Sequence, residues 1–282
     1  MFDAFKSRLE LSGILTTVTA LRISQGRSTE PIGSDLPVVK DSLGRPLIPG
    51  ASFKGALRSR LESFLRGIAP HLAVDPSELV GPDKMRWLKE QKQLYEKNDI
   101  ALTAALLKET DLASLVFGSP WAAGKFQVRD LTVLPDAWFG QYQERDGVSI
   151  DRDTETASDG KLYDFQVVPA GTPFEFKAVV ENAEDWELGL LMIGLHQFEN
   201  EMIPLGGGRS RGLGVVKLQL DEMIWVNPSS PQDLMDYLKN LVDGHLQSYV
   251  KSSPEIETLK HQWTTELLNQ LPRLAARETT HA

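Results

Sequence analysis

Two stretches of this sequence place cations beside backbone that an anion can approach. In PLIPGASFKGALRSRLESFL, Pro46 to Leu65, a turn with proline and glycine runs into a helical pattern carrying Lys54, Arg58 and Arg60, with Arg66 just beyond. Ser52 can cap that helix, and the free N–H groups and dipole at a helix start favour a negative group. Lys54 and Arg58 are four residues apart, so they share a helix face beside the apolar stripe of Phe53, Leu57, Leu61 and Phe64. The second stretch, GGGRSRGLG from Gly206 to Gly214, holds five glycines in nine residues with Arg209 and Arg211 among them. Glycine has no Cβ to hold a polyanion off, and successive N–H groups of Gly206, Gly207 and Gly208 can form a nest for phosphate. These glycines precede a strand and lack a following Lys-Ser/Thr, so they are neither a dinucleotide fingerprint nor a nucleotide P-loop. The bland alternatives are a solvated basic helix and a flexible turn.

A third stretch, GVSIDRDTETASDGKLYDFQVV from Gly147 to Val168, sets apolar Val148 and Ile150 before a charged tip with Arg152, then returns through Leu162, Tyr163 and Phe165. The pattern predicts a protruding hairpin with an apolar base; alone it would be an ordinary surface hairpin. The five histidines (71, 196, 245, 261 and 281) are scattered. His196 falls in an apolar helix, where a satisfied core histidine is the simpler reading. His196 and Glu199 can share a helical face, but two ligands do not make a metal site, and no metal site is identified.

The totals narrow the partners. The chain has 282 residues and no cysteine, which removes disulfides, thiolate metal sites and cysteine nucleophiles together. No apolar run nears the roughly 20 residues that span a bilayer, so no membrane partner is expected. The N-terminus, MFDAFKSRLEL, has no apolar signal region. A cytoplasmic location is the expectation. A net charge of −9 argues at first against nucleic acid, but residues 1–66 hold ten Lys/Arg against six Asp/Glu. Binding follows the local field rather than the sum, and the basic excess lies where the first motif lies.

The elements that must position these residues follow from periodicity. Residues 8–23 read as a strand with a bulge or bend at Gly13, and 24–50 as a loop long enough to imply function. The basic helix spans 52–66, and charged amphipathic helices fill 84–116. Strands return at 125–134 and 172–181, followed by a helix over 184–200 that is apolar almost all round despite its glycines. A last strand at 215–220 precedes two amphipathic helices near 231–250 and 255–271. Without its insertions the order is β, α, β, β, α, β: an α+β, ferredoxin-like (RRM-like) antiparallel sheet with two helices packed on one face. The expected organisation is a palm over 1–220, with a helical insertion at about 78–116 and a thumb hairpin at about 140–168, and a helical C-terminal appendage over 221–282.

In this order, PLIPGASFKGALRSRLE, FGSPWAAGKFQVRDL, GVSIDRDTETASDGKLYDFQVVPAGTPFEF and GGGRSRGLGVVKL resemble the RAMP superfamily, within it the repeated backbone subunit of type III CRISPR effector complexes. The resemblance runs from about residue 8 to 220 and implies a palm that lines up guide RNA. On it, Lys54 and Arg58 match residues that hold guide phosphates, Gly206–Arg211 matches the glycine-rich loop, and the hairpin matches a thumb that wedges into the guide–target duplex. Val148 and Ile150 would be its wedge residues, since unstacking a base step costs a few kcal/mol that packing must offset. Implied partners are guide RNA, target RNA and other subunits of the complex, either copies of this chain or paralogues.

Active members of the family cut target RNA with an aspartate in the loop after the first strand, helped by Mg²⁺ or another divalent cation. In RISQGRSTEPIGSDLPVVKD that position falls near Arg27–Thr29, where no aspartate stands; Glu30 is the nearest carboxylate and Asp35 the next. Arg22 occupies a position often held by histidine and suits a phosphate. In-line attack tolerates little displacement, so Glu30 and Asp35 are candidate catalytic groups of a weak or silent site. Two other readings stay open. A guide-processing endonuclease of the same superfamily would cut repeat RNA without metal. A small-molecule or purely structural role would show no steep salt dependence of RNA binding, and would leave Trp121, Trp138 and Trp186 as core rather than stacking platforms.

Overall fold

The computed structural model describes residues 2–27, 34–147 and 163–276. Alternation sets the central strand. In β1 (Arg8–Thr17), Leu9, Leu11 and Leu15 are buried while the residues between them face a more polar side. They lie opposite Val180, Ala178 and Phe174 of β7 (Pro173–Glu181), so one face of the pair is continuous hydrocarbon. On its other edge β1 pairs with β8 (Val216–Val226), and the register shifts between Ser12 and Gly13. The predicted irregularity at Gly13 has a steric cause, since a Cβ there would lie 2.1 Å from the carbonyl oxygen of Gln219. With β3 (Phe126–Val128) on the far edge, the four-stranded sheet runs β3-β7-β1-β8, every pair antiparallel. The strand expected over 8–23 stops at Thr17, because the N–H groups of Val18 and Thr19 both turn to the Val215 carbonyl.

Two helices cover the hydrocarbon face. Helix α1 (Gly50–Ile68) buries Phe53, Leu57, Leu61 and Leu65; Phe64, expected on that stripe, is exposed because the four-residue steps continue to Leu65. Phe53 stacks on Phe198 of α6 (Asp185–Glu199) with ring centroids 4.4 Å apart, and tilts against Phe176 of β7 at 5.1 Å. The glycines of α6 are its contact points. A Cβ on Gly194 would come within 2.4 Å of Leu57 Cδ1, and one on Gly189 within 2.2 Å of the Trp263 carbonyl. Glycine lets both neighbouring helices approach α6 closely, which explains an apolar helix interrupted by the residue least favourable to helices.

Between α1 and β3 lie α2 (Pro76–Leu79), α3 (Pro82–Leu94), α4 (Asp99–Lys108) and α5 (Leu112–Phe117), the expected helical insertion. Two short strands, β2 (Leu47–Ile48) and β4 (Leu131–Thr132), pair beside it. Strands β5 (Gln143–Gly147) and β6 (Tyr163–Val167) pair antiparallel and form the stem of the predicted hairpin. Its tip, with Val148, Ile150 and Arg152, lies outside the described residues.

The C-terminal part is tied into the fold more closely than a helical appendage would be. The last sheet strand runs to Val226 rather than 220. Helix α7 (Pro231–Asp243) sends Tyr237 to stack on Phe5 at 5.6 Å, while α8 (Ser253–Ala275) buries Trp263, Leu267 and Leu271 in the same core as α1 and α6. Trp263 also meets Trp225 of β8 edge-on at 5.4 Å. Replacing a fully buried aromatic side chain by alanine costs about 3–5 kcal/mol. Trp263→Ala is therefore expected to lower unfolding free energy by about that amount in urea titration, with a single transition for the whole chain; a loss below about 1 kcal/mol would mean that α8 does not share the core.

Candidate nucleic-acid interface

The glycine-rich loop, Arg22, the segment after β1 and the hairpin stem meet around one small apolar cluster. Ala20, Phe165, Val167 and Leu213 form it, with Leu36 and Tyr163 packed against it. The glycine loop is pressed onto residues 20–22: Gly207 N–H donates to the Arg22 carbonyl at 2.8 Å and Gly214 N–H to the Ala20 carbonyl at 2.9 Å. Gly206, Gly208, Gly212 and Gly214 all have positive φ. At Gly206 a Cβ would lie 2.1 Å from the Arg22 carbonyl oxygen, and at Gly214 one would lie 2.0 Å from that of Leu205. These glycines are needed first for backbone to approach backbone. Of the N–H groups expected to form an open nest, that of Gly207 is already bonded within the fold, as are those of Arg211, Gly212 and Gly214 further along the loop.

What the loop presents outward is charge. Arg209 and Arg211 lie in a single 3-10 turn and are both exposed, with Arg209 Nε donating to the Gly206 carbonyl at 3.0 Å. Arg22 places its guanidinium carbon 4.6 Å from the centre of the Phe165 ring, and its buried Nε has no hydrogen-bond partner among the described residues. An aromatic face holds a guanidinium by attraction to its ring quadrupole. The sequence singled out Arg22, Arg209 and Arg211 separately; Phe165 and Leu213, which join them, carried no signal beyond being apolar.

The helix motif behaves differently. Ser52 is not the cap of α1: the helix starts at Gly50, Pro49 holds the cap position, and no side chain of that residue caps it. Ser52 is already in the first turn, with its N–H bonded to the Pro49 carbonyl. The anion at this helix start comes from the chain itself, since Asp130 Oδ1 accepts the Gly50 N–H at 2.8 Å. Asp130 follows a strand 80 positions away in sequence, so nothing local pointed to it.

Lys54 and Arg58 are half-buried under the segment 117–126 rather than free on a surface. Lys54 Nζ donates to the Phe126 carbonyl at 2.8 Å, and burial, with Arg58 nearby, holds its pKa below the usual lysine value. A Cβ on Gly124 would lie 3.0 Å from Lys54 Nζ. Arg58 pairs with Glu62 at 2.6 Å and donates to the Gly118 carbonyl at 2.9 Å and to Ser114 Oγ at 3.3 Å. Below it Asp111 caps α5 through Ser114 N–H, and burial pushes its carboxyl above the usual aspartate range. Arg58 also lines a groove of about 540 Å³ between α2 and residues 117–124, whose other walls include Leu79, Val80 and Phe117. Lys54 thus ties α1 to β3, Arg58 ties α1 to the end of the insertion, and Arg58 also lines that groove.

Of the two candidate acids, Glu30 lies outside the described residues. Asp35 is half-buried, and its backbone N–H is bonded to Asp164 Oδ1 at 2.7 Å. Among the described residues no group of three or more His, Asp or Glu side chains converges as a metal site would require. His196 is not a core histidine: its side chain is 70 % exposed and pairs with Glu199 at 3.1 Å across one helical turn. Trp121, Trp138 and Trp186 are half-buried. Among the described residues no helix is long and apolar enough to cross a membrane.

Fold and site together define an α+β domain that gathers cationic loops at the base of a hairpin. The model of the RAMP superfamily matches residues 14–217, and the chain belongs to that superfamily. It is 26% identical over 224 residues to the CRISPR system Cms endoribonuclease Csm3 of Enterococcus italicus, covering 77% of this chain and 92% of that protein. The protein of the same name from Methanocaldococcus jannaschii is 26% identical over 228 residues, 76% of this chain and 79% of its own. A third, from Mycobacterium tuberculosis, is 46% identical over 57 residues, 20% of this chain and 24% of its own.

The glycine loop yields a graded expectation. Gly212 has φ +81 with open space around its Cβ position, so Gly212→Ala bears only the left-handed backbone penalty of roughly 1–2 kcal/mol. Gly206→Ala adds a backbone collision at 2.1 Å and should cost at least about 1 kcal/mol more. Urea titration of both variants checks the order.

Proposed function

We propose that this chain is a guide-RNA-binding backbone subunit of a type III CRISPR RNA-targeting complex. Its palm is then the ferredoxin-like, RRM-like sheet with α1 and α6 on one face, and the β5–β6 hairpin is its thumb. The observation that carries this reading is the meeting of Arg22, the Arg209–Arg211 turn and the hairpin stem on one small core. That arrangement supplies fixed cations beside the stem of a hairpin, which suits a phosphate backbone and reads no base edge. The extent of the match to proteins named Csm3 supports the same assignment.

In this reading Arg22, Arg209 and Arg211 hold guide phosphates directly. Arg58 contributes from the wall of its groove, while Ser52 and Lys54 support the backbone around it. Guide RNA and target RNA are the nucleic-acid partners, and neighbouring subunits, copies or paralogues, complete the assembly.

The relatives are named endoribonucleases, and cleavage of target RNA by this chain is a second part of the proposal. Its chemistry would be attack of a ribose 2′-hydroxyl on the adjacent phosphate, with a carboxylate near the reacting atoms. From the loop after β1 the described residues offer Asp35 and Asp41, the latter paired with Arg45, and no carboxylate cluster that would hold Mg²⁺. A divalent ion there would draw mainly on RNA phosphates and water. No step is routed through it. Assemblies carrying Glu30→Ala or Asp35→Ala separate the cases: target cut as fast as by wild type in both would show that neither acid is catalytic.

Phosphate contact predicts a salt signature. Each contact to single-stranded RNA contributes about −0.7 to the slope of log affinity against log salt. Arg209→Ala with Arg211→Ala should make guide binding weaker and the slope shallower by about 1.4, equally for guides of unrelated sequence. An unchanged slope in filter-binding titrations would remove these arginines from the interface.

A further inference from the structure

Strand β6 carries a carboxylate where strand pairing argues against one. Asp164 stands directly opposite Asp146 in the β5–β6 ladder, and like charges across a ladder repel. Among the described residues Asp164 finds a donor outside the hairpin, its Oδ1 accepting the backbone N–H of Asp35 at 2.7 Å. The contact continues along both chains: Leu36 bridges Phe165 in parallel, and Gln166 N–H donates to the Leu36 carbonyl at 3.1 Å. The side chain of Leu36 packs on the Phe165 cluster.

A backbone N–H that leaves water on entering a fold needs a partner, and an ionised acceptor forms a shorter and stronger bond than a neutral one. Residues 34–36 thus lie against β6, and Asp164 adds a charged side-chain bond to the contacts that Leu36 makes there. We infer that Asp164 is a positioning residue that ties the segment bearing Asp35 to β6, so that force on the hairpin from an RNA duplex is passed to that segment. The coupling rests on the reading of the hairpin as an RNA contact; the tether does not. It gives one chain a means to register target pairing at the loop where a carboxylate would act on the target.

The test uses the complex assembled with guide RNA, carrying wild type, Asp164→Ala or Asp164→Asn, and follows amide hydrogen exchange with and without complementary target RNA. Asparagine keeps an oxygen that accepts the Asp35 N–H, whereas alanine does not. Without target, Asp164→Ala should speed exchange at 34–38 by roughly tenfold, the scale of one charge-assisted hydrogen bond. Asp164→Asn should stay within about threefold of wild type, on the scale of a neutral bond in place of an ionised one. With target, the strands β5 and β6 and residues 34–38 should slow together in wild type and Asp164→Asn, while in Asp164→Ala only the strands slow. Unchanged exchange at 34–38 in Asp164→Ala overturns the tether. Joint slowing in Asp164→Ala overturns the coupling. Target that slows neither segment in wild type overturns the RNA reading of the hairpin, and the comparison without target still decides the tether.

Discussion

Phe165 carries the Arg22 guanidinium over its ring and packs with Ala20, Val167 and Leu213. Each of these residues comes from a segment with other business: the exit from β1, the return strand of the hairpin and the glycine-rich loop. None of those segments is long enough to bury a face alone, and loops lie on surfaces because their polar backbone must be satisfied. The small core removes that difficulty. It buries a few side chains from each segment, and the glycines at 206 and 214 let the backbones close to hydrogen-bonding distance. Cations that are remote in sequence thereby acquire a common, fixed base, which a binding surface for a polyanion requires before any ligand arrives.

The second constraint is charge taken inside. Lys54, Arg58, Glu62 and Asp111 lie between α1 and the insertion, and Lys125 pairs with Glu187 at 2.5 Å where both are almost fully buried. Burial pushes Glu187 upward while Lys125 opposes it. Such groups are costly to bury and are tolerated when paired and hydrogen-bonded. Glu187 also accepts the Glu184 N–H at the start of α6, so one carboxylate joins a strand entry to a helix start. Asp130 does the same for α1. In both places an internal acid occupies the positive end of a helix.

Close approach at α6 completes the scaffold. Because Gly194 admits Leu57 and Gly189 admits the α8 backbone, three helices pack as one layer over the sheet, and the C-terminal helix becomes part of the core that supports β1 and β8. The matched family region ends at residue 217, yet the hydrophobic interior does not. The polar face of the sheet, with Ser12, Lys177 and Gln219, is left outside that layer.

Residue pattern alone determined the first strand (though not its end at Thr17), the basic helix, the buried apolar helix and the order of elements, because alternation and helical periodicity are local consequences of burying one face. It also marked Arg209 and Arg211 as cations among glycines, while Arg22 was singled out only by the family resemblance. Tertiary structure decided what those residues touch. It gave α1 a distant aspartate for a cap, drew Lys54 and Arg58 under the insertion, exposed His196 and placed Asp164 against Asp35. Partners of this kind are fixed by where chains cross in space, and side-chain hydrogen bonds between residues 60 to 130 positions apart leave no periodic trace in a sequence.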